Sequence, residues 1–277
     1  MTGRSSNDGR QPAPASAARA EGPSPAATDG DGALCDRHAA VRARIDAAAR
    51  ACGRSPDDVG LLAVSKTFDA DTVLALAATG QRAFGENYVQ EALPKMAAVR
   101  DRWALPASGR SEGAGDGPQW HFIGPIQSNK TRAIAESFDW VHSVEREKVA
   151  RRLSEQRPTG LRPLQVCVQV DVSGEATKGG CDPSEAVALG AAIAAMPGLR
   201  LRGVMAIPAP TDDPALQRAQ FARVRAVFEA MRAAGLPVDT LSMGMSGDLE
   251  AAIAEGATIV RVGTALFGAR PAKEEAG

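Results

Sequence analysis

Lys66 closes the apolar run Leu61-Leu62-Ala63-Val64-Ser65, a position that gives its amine a chemistry most lysines lack. Burial disfavours the ammonium form and leaves a usable nucleophile, whose expected product is a Schiff base with a carbonyl compound. The commoner fate of such a lysine is to snorkel, its stem on apolar surface and its head in water. Two later segments, Met243-Gly244-Met245-Ser246-Gly247-Asp248 and Gly263-Thr264, combine glycines with hydroxyls. Glycines let backbone approach a ligand closely, and the N–H groups where a helix begins attract an anion. For each segment alone, helix capping by Ser246 or Asp248 and tight turns at the glycines explain the residues equally well. Arg261, three residues before Thr264, is either half of a buried ion pair or a donor to a ligand ring or carboxylate.

Other chemistry-bearing residues weigh less. The chain has three histidines, His38, His121 and His142, too few and too scattered for a metal centre. His121 reads as a satisfied core residue, and Trp103, Trp120 and Trp140 as packing. Lys130 opens a helix after a Gln-Ser-Asn turn and reads as solvated. Four cysteines, Cys35, Cys52, Cys167 and Cys181, form no CxxC pair and are expected to be reduced, structural thiols of a cytoplasmic protein.

The elements that must position these residues alternate. Short β-rich runs fall at 60–65, 82–84, 120–123, 139–142, 164–170, 200–205, 238–242 and 258–262. Helical patterns fall at 34–51, 70–78, 129–137, 145–157, 184–195, 213–234 and 248–255. Strands alternating with helices predict a parallel sheet, and eight units predict closure into a (β/α)8 TIM barrel. The alternative is an open doubly wound sheet, but no GxGxxG follows an early strand. In such a barrel, chemistry sits on the loops that follow the strands. Lys66, Gly85-Glu86-Asn87-Tyr88, the segment from Gly124 to Lys130, Asp171, Ala206-Ile207-Pro208 and the two glycine-hydroxyl segments all occupy such loops. Loops seven and eight often hold a phosphate in barrels. With both glycine-hydroxyl segments there, a phosphate becomes the better reading and Lys66 the better candidate for a Schiff base.

Of 277 residues, 32 are Lys or Arg and 33 Asp or Glu, so the net charge is −1 and no global positive field attracts nucleic acid. No run approaches the roughly 18 apolar residues of a membrane span, and no secretory h-region is visible. In residues 1–33, 21 positions are Ala, Gly, Pro or Ser, which predicts a disordered tail. The stretch 104–118 predicts a surface-loop insertion and 271–277 a short C-terminal tail, leaving 34–270 as one domain.

Six segments resemble the pyridoxal phosphate homeostasis protein family. They are Val64-Ser65-Lys66-Thr67, Phe84-Gly85-Glu86-Asn87-Tyr88-Val89-Gln90-Glu91 and the run Trp120-His121-Phe122-Ile123-Gly124-Pro125-Ile126-Gln127-Ser128-Asn129-Lys130. The others are Arg202-Gly203-Val204-Met205-Ala206-Ile207, Leu241-Ser242-Met243-Gly244-Met245-Ser246-Gly247-Asp248 and Arg261-Val262-Gly263-Thr264-Ala265-Leu266-Phe267-Gly268. The resemblance implies a barrel of the alanine racemase N-terminal type that binds pyridoxal 5′-phosphate (PLP). By matching positions it implies a Schiff base on Lys66, Arg261 at the pyridine nitrogen, and Ser246, Gly263 and Thr264 at the phosphate. Asn87, Met205 and Ser242 are then expected around the ring. Asp171 stands where the family carries asparagine, and the segment from Glu175 to Gly180 fits the family loosely.

An arginine at the pyridine nitrogen keeps that atom unprotonated and weakens the ring as an electron sink. A racemase of this type also takes a second base, a tyrosine, from a further domain, whereas this sequence ends soon after strand eight and has one tyrosine, Tyr88. The expectation is therefore a monomeric cytoplasmic PLP carrier that buffers the cofactor or delivers it to PLP-dependent apo-enzymes. The alternatives are a racemase- or lyase-like enzyme of low activity, with Tyr88 or His121 as base, and a cofactor-free Schiff-base aldolase.

Overall fold

A computed structural model describes residues 29–103, 117–173 and 179–268. Eight parallel strands close a barrel in chain order: β1 Gly60–Val64, β2 Ala83–Glu86, β3 Gln119–Phe122, β4 Trp140–Val144, β5 Leu164–Gln169, β6 Leu199–Met205, β7 Thr240–Ser242 and β8 Ile259–Val262. The helices are α1 Asp29–Ala51, α2 Ala70–Ala78, α3 Val89–Trp103, α4 Thr131–Ser137, α5 Glu147–Gln156, α6 Ala186–Ala194, α7 Pro214–Ala233, α8 Leu249–Ala254 and α9 Thr264–Phe267. The expected barrel is thus present, and its seam is the pairing of β1 with β8, with Ala63 opposite Val262.

Two elements go beyond the sequence reading. The sequence reading gives no bounds for the helix-like segment expected between β2 and β3; α3 fills that place, running through Pro94 and burying Val89, Ala92, Met96 and Val99. Helix α1 begins at Asp29, so 29–33 are helical although their composition matches the tail. The remaining tail (1–28), the insertion at 104–116, residues 174–178 and the C-terminal 269–277 lie outside the described residues. Cys35 and Cys52 are exposed, so only Cys167 and Cys181 are buried thiols. Among the described residues no helix is long and apolar enough to cross a membrane.

Alternation along each strand sorts residues between two cores. Leu61, Ala63, Phe84, Leu241, Val260 and Val262 join the main core under the helices. Residues of the other parity, including Leu62, Val64, Ser242 and Arg261, point into the barrel. Two register shifts alter this sorting. An extra residue in β4 between Val141 and Val144, and another in β6 between Leu201 and Gly203, break the alternation. Both Val141 and Val144, and both Leu201 and Val204, therefore face the outer core. Trp140, Cys167 and Met205 form a separate interior cluster. Gly203 is required at the second shift: its φ is +152°, and a Cβ there would lie 1.9 Å from the carbonyl oxygen of Thr240.

Candidate functional site at the C-terminal mouth of the barrel

Lys66 follows β1 on the inward parity of Leu62 and Val64, and it is half-buried. Its neighbours are held from α3. Lys95, itself buried, donates from Nζ to the Ser65 carbonyl at 2.8 Å, to Glu86 Oε1 at 2.8 Å and to Glu91 Oε1 at 3.2 Å. Ser65 Oγ donates to Glu86 Oε1 at 2.7 Å. Glu91 also accepts the Thr67 N–H, in a turn where Thr67 has φ of 71°. Burial pushes the Glu86 carboxyl above its usual range although Lys95 opposes the shift. Sequence reasoning missed this group. The signal was the spacing of Glu91 and Lys95, one helical turn apart behind β2.

Gly263 and Thr264 follow β8, the neighbour of β1, so they stand beside Lys66. A Cβ on Gly263 would touch Val64 at 3.5 Å, which locates this loop against the end of β1. Ser246 Oγ accepts the Ala265 N–H at 3.3 Å and so ties the loop after β7 to the loop after β8. Arg44 of α1 donates to the Ser246 carbonyl at 3.0 Å. Asp248 does not cap α8; its Oδ1 accepts the Met245 N–H at 2.5 Å and closes the loop before that helix.

Arg261 lies inside the barrel and is 4% exposed. Its NH1 donates to the Ser242 carbonyl at 2.6 Å and to Ser242 Oγ at 2.8 Å, and its NH2 donates to the Ala206 carbonyl at 2.9 Å. These partners are neutral, so burial draws its pKa down to about 10, opposed by the charge of Asp248. Of the two sequence readings of Arg261, the ion pair is not what its hydrogen bonds make. Met205, fully buried, pairs in register with Ser242. Below them, His142 Nδ1 is 2.7 Å from Ser242 Oγ, and His142 Nε2 is 2.9 Å from His121 Nδ1. His121 is a satisfied core residue, as its setting in the sequence suggests.

Asn87, after β2, is fixed by a close backbone approach. A Cβ on Gly124 would fall 2.2 Å from the Asn87 carbonyl oxygen, so only glycine fits there. The Asn87 Oδ1 is buried and has no hydrogen-bond partner among the described residues. Asn87, Tyr88, Gln127 and Lys130 line a cavity of about 280 Å³. A cleft of about 460 Å³ opens at the opposite end of the barrel around Arg54, Arg202 and Asp239. Its arginines are already engaged, Arg202 with Asp239 and Arg54 with backbone carbonyls. Among the described residues no group of His, Cys, Asp and Glu could hold a metal ion.

The arrangement thus combines a half-buried lysine at the end of β1, two joined hydroxyl-bearing loops, a buried arginine and an amide oxygen without a partner among the described residues. The family description "alanine racemase, N-terminal domain" matches residues 37–271. A pyridoxal phosphate homeostasis protein of Pseudomonas aeruginosa is 59% identical over 237 residues, covering 86% of this chain and 96% of that one. The structure of PipY from Synechococcus elongatus with PLP bound is 36% identical with a TM-score of 0.70, covering 85% of this chain and 100% of that one. An alanine racemase from Corynebacterium glutamicum, 19% identical with a TM-score of 0.59, shares the fold over 88% of this chain and 63% of its own. The chain belongs to the pyridoxal phosphate homeostasis proteins, a family built on the N-terminal barrel domain of alanine racemase.

Proposed function

We propose that this protein binds PLP at the C-terminal mouth of the barrel through Lys66, and buffers or delivers it without substantial catalysis of its own. The observation that carries the proposal is the placement of Lys66 beside Gly263 and Thr264 on adjacent strands, with Ser246 tying in the loop after β7. The residues fit the group. Ser246, Gly263 and Thr264 offer hydroxyls and backbone N–H groups to a phosphate. The buried Asn87 Oδ1 lacks a partner among the described residues, and Met205 gives an apolar surface for a ring. Arg261 is donor-only and hydrogen-bonds Ser242, from where it would meet a ring nitrogen. PLP supplies an aldehyde that condenses with amines and a ring that accepts electrons.

The chain's own residues favour carriage over turnover. Arg261 offers protons from a guanidinium that stays charged, so it leaves a ring nitrogen without a proton of its own. Burial pushes His121 down to about 3, and the ring lies below the mouth, so it holds no proton for exchange there. Tyr88 is 56% exposed, on the rim. Proton transfer without a positioned acid or base forgoes roughly 10²- to 10⁴-fold in rate. The name of the Pseudomonas relative and the PLP in the PipY structure support the same reading. In it, the protein works as a cytoplasmic monomer whose partners are PLP and PLP-dependent apo-enzymes.

The test has two parts. Borohydride treatment of the purified protein with PLP should fix one adduct on Lys66, visible by intact mass and lost in Lys66→Ala. Incubation with L- and D-alanine in deuterated water should give α-proton exchange no faster than free PLP. An equal adduct in Lys66→Ala places the attachment elsewhere. Exchange well above free PLP that disappears in Tyr88→Phe makes the protein an enzyme.

A further inference from the structure

The barrel interior beneath Arg261 holds a continuous line of polar side chains in a place usually filled by apolar ones. Ser242, His142 and His121 are all buried, and the line ends at Gln119, exposed at the start of β3. We propose that His142 and His121, acting through Ser242, are positioning residues for Arg261, joined to it by a one-way chain of hydrogen bonds through neutral side chains. The inference rests on the reading of Arg261 as the group that meets the ring nitrogen of PLP.

The direction of the chain follows from donor and acceptor capacity. A guanidinium only donates, so Ser242 Oγ accepts from Arg261 NH1 at 2.8 Å. The serine hydroxyl then has its own proton to give, and His142 Nδ1 lies 2.7 Å away. His142 therefore carries its proton on Nε2, which faces His121 Nδ1 at 2.9 Å. His121 in turn carries its proton on Nε2 and donates to Gln119 Oε1 at 3.0 Å. Each bond sets the tautomer of the next ring, and every polar atom of the two imidazoles is used. Trp140 stacks on His121, with centroids 5.2 Å apart and planes 5° apart, and holds that ring in line.

The chain is neutral because burial disfavours both imidazolium forms and the charge of Arg261 adds to the effect at His142. A protonated His142 would turn its Nδ1–H toward Ser242 Oγ, reverse the serine hydroxyl and set a second cation beside the guanidinium. The neutral chain instead aims a polarised oxygen at Arg261. It fixes the plane of the guanidinium from below while Ala206 fixes it from the side.

The experiment compares the affinity of the full chain for PLP and for an analogue with carbon in place of the ring nitrogen (deaza-PLP). The unmodified protein should prefer PLP. His142→Phe keeps ring volume but breaks the chain, and should shrink that preference by about tenfold while changing deaza-PLP binding less than about twofold. His121→Phe should have a smaller effect of the same kind. A structural role alone would weaken both ligands alike, and that result overturns the proposal. Histidine ¹⁵N NMR of the unmodified protein gives a readout independent of any variant's folding. Both imidazoles should be neutral Nε2–H tautomers at neutral pH; an Nδ1–H tautomer or an imidazolium at either position overturns it as well. If the unmodified protein binds PLP and deaza-PLP equally, the reading of Arg261 fails and the proposal with it. If it discriminates and His142→Phe discriminates as well, the chain alone fails.

Discussion

Lys95 Nζ lies 2.8 Å from the carbonyl oxygen of Ser65, the residue immediately before Lys66. On the other side of Lys66, the Thr67 N–H is accepted by Glu91, which Lys95 also contacts at 3.2 Å. One helix, α3, therefore grips the backbone on both flanks of the candidate attachment residue. The grip holds Thr67 at a positive φ of 71°, a conformation that costs a β-branched residue strain of order 1–3 kcal/mol.

Removing the cation should expose how much the pair carries. Lys95→Met leaves Glu86 buried with its charge unopposed and should destabilise the protein by about 3–5 kcal/mol. Adding Glu86→Gln should recover much of that loss, as measured by urea denaturation. No recovery in the double variant would mean that packing of the lysine stem, not its charge, holds α3 in place.

The Glu91 contact predicts a different readout. Glu91→Ala frees the Thr67 turn and should slow formation of the borohydride-trapped adduct on Lys66. Binding of pyridoxine 5′-phosphate, which has no aldehyde, should stay the same. Thr67→Gly adopts the positive φ without strain, so it should restore the adduct rate in the Glu91→Ala background. A rate that stays low in the double variant would show that the turn is not what Glu91 maintains.

The tie between Ser246 and Ala265 brings two loops together at the proposed phosphate site. A hydrogen bond to a charged phosphate contributes about 1.5–3 kcal/mol, or roughly 10- to 150-fold in affinity. Ser246→Ala and Thr264→Val should weaken PLP by that order and leave pyridoxal, which lacks the phosphate, nearly unchanged. Titration of both ligands followed by absorbance checks this, and equal weakening of the two would remove phosphate from this site.

His121 and His142 are held neutral by burial, with His121 lowered to about 3 and His142 lowered as well. The unfolded chain takes up protons near the ordinary value of 6.5, whereas the folded chain does not until far lower pH. The stability they confer is therefore full above pH 6.5 and falls as the pH drops toward about 3. The slope approaches about 1.4 kcal/mol per pH unit for each histidine. Denaturant midpoints at pH 7, 6 and 5 should fall accordingly, and His121→Phe should flatten the slope. An unchanged slope would place the acid sensitivity in the carboxylates.

Gly124 touches the Asn87 backbone so closely that any Cβ would fall 2.2 Å from the Asn87 oxygen. Gly124→Ala must move the loop after β2, at about 1–3 kcal/mol in stability. It should also weaken PLP binding, because Asn87 moves with its backbone. Thermal melts and PLP titration of the same variant check both. Weakened stability with intact binding would mean that Asn87 lies outside the ligand site.

The alternation of β-rich and helical runs was enough, without any structure, to predict a closed barrel of eight strands. Chemistry-bearing residues also stood visibly at one end of those strands. Lys66 at the end of an apolar run, and hydroxyls among glycines after the last two strands, are local patterns that a sequence displays directly. The bounds of α3 were not legible, although a helix-like segment was expected after every strand. Which protein groups hold Arg261 was not legible either, since an inward arginine can be held by a carboxylate or by neutral oxygens, and which it meets depends on the strand beside it. The register shifts in β4 and β6 decide where the alternation breaks and so help set which residues line the interior near Ser242. Ser242 and His142 lie far apart in sequence, and so do Lys95 and Ser65. No local spacing encodes such contacts; they exist only because the barrel closes and brings distant strands and helices within hydrogen-bond reach.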